Sequence, residues 1–235
     1  MGYEANTSER GREAVLARWK PILEKELLNL SLNTSDDMII KKASIIACLI
    51  ADGTVARRIS KNGTHFEIYF YPDDVQLLKK FLFNYKTVYN RNLPFKKMRG
   101  YYRVYTKHKI AVLDLLQYTN FSGLAWTLPV KLLSSKKSKA EFLRAYFDCE
   151  GYVNNRVVRV ESVNNIGLTE IQKMLLEDFG IESKMYHYRR KQKLWNVNHI
   201  LSIHKNSERI KFLKEIGFDH SRKKKLLIAS VAELG

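Results

Sequence analysis

The chain repeats itself. Residues 45–53 read IIACLIADG and residues 143–151 read LRAYFDCEG. Each is an apolar run, rich in small residues, that ends in an acid followed by glycine. Such a repeat forces two copies of one supersecondary unit to share a core. The elements after each run follow the same order. TVARRISKNGTHFEIYF follows the first run and YVNNRVVRVESV the second, each reading as short strands about a turn. Asn62-Gly63 marks the first hairpin, since both residues tolerate positive φ. Leu77, Leu78, Phe81 and Leu82 recur at helical spacing and predict a helix over 73–89; Ile171, Leu175 and Leu176 predict one over 167–179. A second strand pair is expected over 95–107 and over 184–203, and a closing helix over 109–117 and over 208–216. Each half is therefore α-β-β-α-β-β-α. The fold class is α+β: two pseudo-symmetric units over 42–127 and 128–235, the second ending in a basic tail that opens SRKKKLL from Ser221. Residues 1–41 form a helical extension, with Trp19, Ile22 and Leu23 on an apolar face and Pro21 expected to kink or split it.

As helices, the two runs carry a chemical problem. Ala47, Cys48 and Ala51 on one, and Ala145 and Cys149 on the other, are small enough to let helix backbones approach closely. Gly53 and Gly151 stand where a left-handed helix cap is expected. Asp52 and Glu150 then fall in the last turns, where the helix dipole disfavours an anion by roughly 0.3–1 kcal/mol. Packed together, they also repel one another. A hard divalent cation such as Mg²⁺, which takes carboxylate, water and phosphate oxygens, relieves both penalties.

Charge supplies the partner. Lys and Arg number 41 against 24 Asp and Glu, a net charge of +17. Cations in such excess suit a polyanion, because each one placed on a phosphate releases a condensed counterion. Charge alone does not separate DNA from RNA or from an anionic membrane. No window approaches 18 uninterrupted apolar residues, so no membrane span is expected. The start, MGYEANTSERGREAV, lacks the apolar core of a secretory signal. Cys48 and Cys149 make neither a disulfide framework nor a zinc site. An intracellular location is the expectation.

The two runs resemble the paired LAGLIDADG motifs of homing endonucleases. FLRAYFDCEG is a close match; IIACLIADG is looser, with Ile50 where the signature has its first Asp, but it keeps the terminal A-D-G. SVNNIGLTEIQKMLLEDFGIESKMY and IKFLKEIGFDHSRKK resemble the middle and end of a family domain, so the likeness spans residues 41–225. It implies two units meeting through the motif helices, with their sheets forming a DNA-binding saddle and their helices packed behind. It implies a monomeric enzyme that cuts both strands of a long, asymmetric double-stranded site and leaves short 3′ overhangs. Two or more Mg²⁺ ions, replaceable by Mn²⁺, are implied, held by Asp52 and Glu150 with the backbone carbonyls of Ala51 and Cys149 as further ligands. It also implies a lysine near the end of each repeat: Lys223 in the second and Lys131 in the first. Asp73 is a further polar candidate near the first site.

Strand alternation points to the groove-facing residues. Phe66, Ile68 and Phe70 share one face, against His65, Glu67, Tyr69 and Tyr71. Tyr101, Arg103 and Tyr105 oppose Tyr102 and Val104, and Arg159 and Glu161 oppose Val158 and Val160. Arg57, Arg58, Lys61, Arg99 and Arg156 add cations at strands and turns. The hairpin HYRRKQK, with His187, Tyr188, Arg189, Arg190, Lys191 and Lys193, reads as a backbone clamp, and Asn196 and Asn198 are further candidates for DNA contact. Three functions share this fold: a site-specific endonuclease, an intron maturase that binds RNA, and a non-cutting DNA-binding regulator. The intact acid pair favours the first. A free-standing, intron-encoded protein of archaeal or organellar source is expected rather than an intein.

Overall fold

The computed structural model describes residues 20–30, 35–61, 63–189 and 196–232. Asn62 of the hairpin turn, and Arg190, Lys191 and Lys193 of the expected clamp, lie outside the described residues, as does Trp19. The chain divides into two compact units, Met1–Ser35 and Asp36–Gly235. In the smaller unit, residues 20–30 form helix α1, which includes Pro21; Ile22 is exposed. The stretch before Lys20, where a split would show, is not described.

The larger unit carries both repeats. The first runs α2 (Asp36–Asp52), β1 (Gly53–Ser60), β2 (Gly63–Phe70), α3 (Val75–Tyr89), β3 (Phe95–Lys97), β4 (Tyr102–Thr106) and α4 (Lys109–Leu115). The second runs α5 (Lys136–Glu150), β5 (Tyr152–Val153), β6 (Val158–Ser162), α6 (Asn165–Phe179), β7 (Lys184–Tyr188), β8 (Asn198–Ile203) and α7 (Asn206–Glu215), followed by α8 (Ser221–Ala232). Each repeat is α-β-β-α-β-β-α with a four-stranded antiparallel sheet, ordered β1-β2-β4-β3 and β5-β6-β8-β7. The motif helix α2 begins at Asp36, six residues before the boundary expected from the repeat.

Local chemistry explains the helix starts. Asp74 caps α3 by accepting from the Gln76 and Leu77 amides, and Asn164 caps α6 by accepting from the Gly167 amide. Ser135 and Ser138 form a reciprocal capping box on α5. Gly180 ends α6 at φ 62°. The motif helices need no amphipathic face because they are buried almost all round: Ala43 to Ile50 of α2, and Phe142, Leu143, Ala145, Tyr146 and Phe147 of α5, form the core where the helices pack together. Lys42 is the exception on α2. It is buried, with Nζ 2.9 Å from Asp114 Oδ2 on α4, and Tyr89 donates its hydroxyl to the same carboxylate at 2.7 Å.

The glycines that end the motif helices are not left-handed caps. Gly151 has φ −71° and ψ 139°, and neither it nor Gly53 has positive φ. Space, not conformation, requires glycine. A Cβ on Gly151 would stand 2.2 Å from the Phe147 carbonyl oxygen, and one on Gly53 2.7 Å from the Tyr69 carbonyl oxygen. The chain turns from helix into strand with no room for a side chain.

Candidate active site and nucleic-acid face

Asp52 is the last residue of α2 and Glu150 the last of α5, so the seam that joins the repeats also joins their acids. Burial pushes the Asp52 carboxyl above its ordinary value, against the pull of the nearby Lys223 ammonium; Asp73 pushes it further up. Burial, and then the charge on Asp52, push Glu150 up to about 7. The two carboxyls feel one another across the seam, and Lys223 feels both. A cavity of about 340 Å³ opens beside Glu150, lined by Ile50, Ala51, Trp126, Tyr146, Glu161 and Asn198 among others. Among the described residues no group of three or more His, Cys, Asp or Glu side chains is placed to hold a metal ion. Two carboxyls that share one nearby ammonium, Lys223, suit a hard cation that completes its shell with water and phosphate oxygens, so the donor set fits Mg²⁺.

Lys223 is buried on α8, and its ammonium sits over the carbonyl end of α5. It donates to the backbone oxygens of Asp148 at 2.5 Å, Cys149 at 2.9 Å and Phe147 at 3.5 Å. A cation there answers the negative helix end directly. The Cys149 carbonyl, expected as a metal ligand, therefore already accepts from Lys223. Desolvation lowers the Lys223 pKa, with the Cys149, Asp73, Asp148 and Asp52 side chains holding it up. Lys131 is different. It is exposed on a 3-10 turn, Val130–Leu132, and contributes to neither carboxyl. The expectation of one lysine per repeat fails because α4 is followed by an irregular linker, not by a returning helix like α8. That linker is pinned by Trp126, whose carbonyl accepts from Asn164 Nδ2 at 2.6 Å.

Asp73 and His220 complete the site. His220 is buried, with Nε2 3.5 Å from Asp73 Oδ1 and Nδ1 3.7 Å from Asp74 Oδ2. Contact with that imidazole is the chief cause holding the Asp73 carboxyl below its ordinary value. Asp148, the first acid of the second motif, is fully buried. Its Oδ1 accepts from the Asp219 amide at 3.0 Å and the His220 amide at 2.9 Å. Sequence reading passed over Asp148 and His220, because the partners of Asp148 are backbone amides about seventy residues away; the one signal was the loss of that acid, as Ile50, in the first motif.

Register decides which strand residues share the open sheet faces, since side chains directly opposite in an antiparallel pair lie on one side. In the first sheet Arg58 opposes His65, Tyr69 opposes Tyr105, and Lys96 opposes Arg103, away from buried Ile68, Phe70 and Val104. The Tyr69 and Tyr105 rings stack at 4.5 Å, and Tyr71 and Tyr101 extend this aromatic row. Glu67 lies on the same face, 3.9 Å from Arg58. Arg57 opposes Phe66, so it lies on the helix side and not the open face. In the second sheet Arg159 opposes Tyr152 and Ser202, and its guanidinium lies 4.7 Å over the Tyr152 ring. Glu161 accepts from Asn198 Nδ2 at 2.9 Å, and Lys184, Tyr186 and Tyr188 share this face. His187 opposes His199 at a register position shared with Leu201, so it too falls on the helix side. Lys61, Arg99, Arg156, Arg189 and Asn196 are exposed in turns and loops. Tyr188 belongs to the expected clamp; Lys96, Tyr152, Lys184 and Tyr186 were not foreseen, and only the register reveals them.

Comparison with known proteins agrees with this architecture. Residues 137–217 match the family model of the LAGLIDADG-like domain. A curated relative, the isomerizing glutamine–fructose-6-phosphate aminotransferase of Methanocaldococcus jannaschii, is 29% identical over 154 residues, which is 61% of this chain. The chain spans only 14% of that relative's length. Among solved structures, I-DmoI in complex with DNA and Ca gives a TM-score of 0.63 at 13% identity, covering 82% of this chain and 99% of that one. Mesophilic variants of the homing endonuclease I-DmoI give 0.61 at 14% identity, covering 77% and 96%. Full-length DUF199/WhiA from Thermatoga maritima gives 0.55 at 15% identity, covering 89% and 66%. The second repeat thus matches the LAGLIDADG-like domain, and the two repeats together share the fold of these solved structures.

Proposed function

We propose that the chain is a site-specific DNA endonuclease that makes a metal-dependent double-strand break with short 3′ overhangs. The observation that carries this reading is the acid pair: one carboxyl from each repeat, brought together at a helix seam and held above its ordinary pKa. Asp52 and Glu150 would hold Mg²⁺ or Mn²⁺, and the Ala51 carbonyl is a further candidate ligand. Bound there, such an ion supplies positive charge that polarises a phosphodiester toward hydrolysis. The chain's own groups do the rest. Lys223 places a fixed, desolvated cation beside both carboxyls, where it counters the negative charge that develops as a phosphodiester is attacked. The open sheet faces supply the phosphate and base contacts of a long duplex site, with Arg58, Lys96, Arg103, Arg159 and Lys184 as cations. Since one chain carries both acids, a monomer is complete. I-DmoI, described in complex with DNA and Mn or Ca, supports the partner and the cation class.

A non-cutting DNA-binding protein of the same fold is the second reading. It is favoured by the single lysine serving two carboxylates, and by the likeness to DUF199/WhiA over 89% of this chain. One experiment separates the two. Duplexes selected for binding from a random pool in Ca²⁺ are transferred to Mg²⁺ and their ends sequenced. Paired cuts with short 3′ overhangs support the endonuclease. Intact DNA after tight binding supports the second reading, and preference for intron RNA over every duplex would point to a splicing role instead.

A further inference from the structure

Asp148 and Lys223 cross between the same two helices in opposite directions. From α5, Asp148 takes the Asp219 and His220 amides just before α8, and so anchors the N-terminal approach of α8. From the first turn of α8, Lys223 returns to the Phe147, Asp148 and Cys149 carbonyls and closes the C-terminal end of α5. Each helix end is thus held by a buried side chain carried on the other helix. The segment between them is stapled from further directions. Arg144 Nε donates to the Ile216 carbonyl at 2.6 Å, Gly217 turns the chain at φ 66°, and Lys80 of the first repeat pairs with Asp219. His220 lies against Asp73 and Asp74 of the first repeat. The first repeat lacks the acid of this clamp, since Ile50 occupies the position of Asp148.

We propose that Asp148 is a positioning residue, which sets Lys223 beside the Asp52–Glu150 pair by holding the start of α8 against α5. Its role is that of an acceptor for two buried N–H groups, so Asn, with one carbonyl oxygen at the same reach, keeps the device, while Leu, of similar bulk but no acceptor, breaks it. The consequence for cutting rests on the endonuclease reading; the consequence for Lys223 burial does not.

Two measurements test it. The first is amine labelling of the intact chain with an acylating reagent, read by mass spectrometry at Lys223. Wild type is protected, D148N stays within about threefold of wild type, and D148L labels about tenfold faster or more, as a buried ammonium released into water does. A folded D148L that still protects Lys223 overturns the proposal. Where D148L does not fold, D148S, too short to reach both amides, takes its place and is held to the same outcome. The second is single-turnover cleavage of a selected duplex in Mg²⁺. D148L is slower by about 10²-fold with Kd in Ca²⁺ little changed, and it adds no further loss in a K223M background, as expected of two residues acting as one unit. Additive losses would mean that Asp148 acts elsewhere. If wild type cuts none of the selected duplexes, the endonuclease reading falls, and labelling still decides the clamp.

Discussion

At the scale of single residues, Asp52 and Glu150 stand where unliganded carboxylates cost stability. The Glu150 carboxyl is held at about 7, against 4.5 for an ordinary glutamate, by burial and by Asp52. Between those values the folded protein keeps a proton that the unfolded chain has lost, so stability falls as pH rises through this window. Asp148, pushed to about 7 chiefly by burial, adds a slope of the same sign. Melting of the metal-free protein should therefore move to lower temperature between pH 4.5 and 7, and E150Q should flatten that trend without abolishing it. Mg²⁺ should raise the melting temperature more at pH 7.5 than at pH 5, since ion and proton compete for the same oxygens. A metal effect independent of pH would count against the pair as ligands. In the same pair, Asp52→Asn or Glu150→Gln should slow double-strand cutting by about 10³-fold or more while specific binding in Ca²⁺ persists. Parallel loss of both would mean that the acids serve the fold instead.

At the scale of elements, the closeness of neighbouring backbones governs what the helices tolerate. A Cβ on Gly151 would meet the Phe147 oxygen at 2.2 Å, so Gly151→Ala should cost roughly 2–4 kcal/mol in urea unfolding. A left-handed cap would have predicted a gentler loss, recovered by Asn; here Asn should be worse than Ala. Lys42 ties α2 to α4 through Asp114, both buried. Lys42→Met strands that carboxylate and should cost roughly 3–5 kcal/mol, much of it recovered in K42M/D114L. A double variant as unstable as the single one would show that packing rather than charge sets the loss. Most element boundaries were legible because period two and period 3.6 survive in the strands and helices. Faces were less so. Arg57 and His187 were assigned to DNA by composition, but pairing with Phe66 and His199 fixes their side of the sheet, and a shift of one residue reverses it. Lys131 went wrong for another reason: the repeat ends at α4, and the linker that follows has no counterpart from which to read position. Lys223 was found through the resemblance, while its hold on the Cys149 carbonyl was invisible, because no spacing in sequence shows which backbone oxygen a side chain reaches.

At the scale of the whole molecule, a net charge of +17 must be reconciled with open faces that carry acids as well as bases. Arg58 lies 3.9 Å from Glu67, and Arg159 Nη2 lies 3.3 Å from Glu161. On the free protein these pairs contribute little stability, since exposed ion pairs rarely exceed about 1 kcal/mol. Against a duplex they act differently: the acid holds its arginine in place, and can itself accept from an exposed cytosine amine. The cations without such partners, Lys96 and Arg103 on the first sheet, are then the ones to set salt sensitivity. If about eight phosphates are neutralised, log K should fall with log salt at a slope of about −7. K96A and R103A should each make that slope shallower by about one. R57A should leave it unchanged, although the side chain is equally cationic and exposed, because its strand position faces the helices. This last comparison separates a directed binding face from a merely basic surface. A surface that attracts DNA by total charge would lose the same increment from all three substitutions, and equal losses would sink the assignment of the open faces to the duplex.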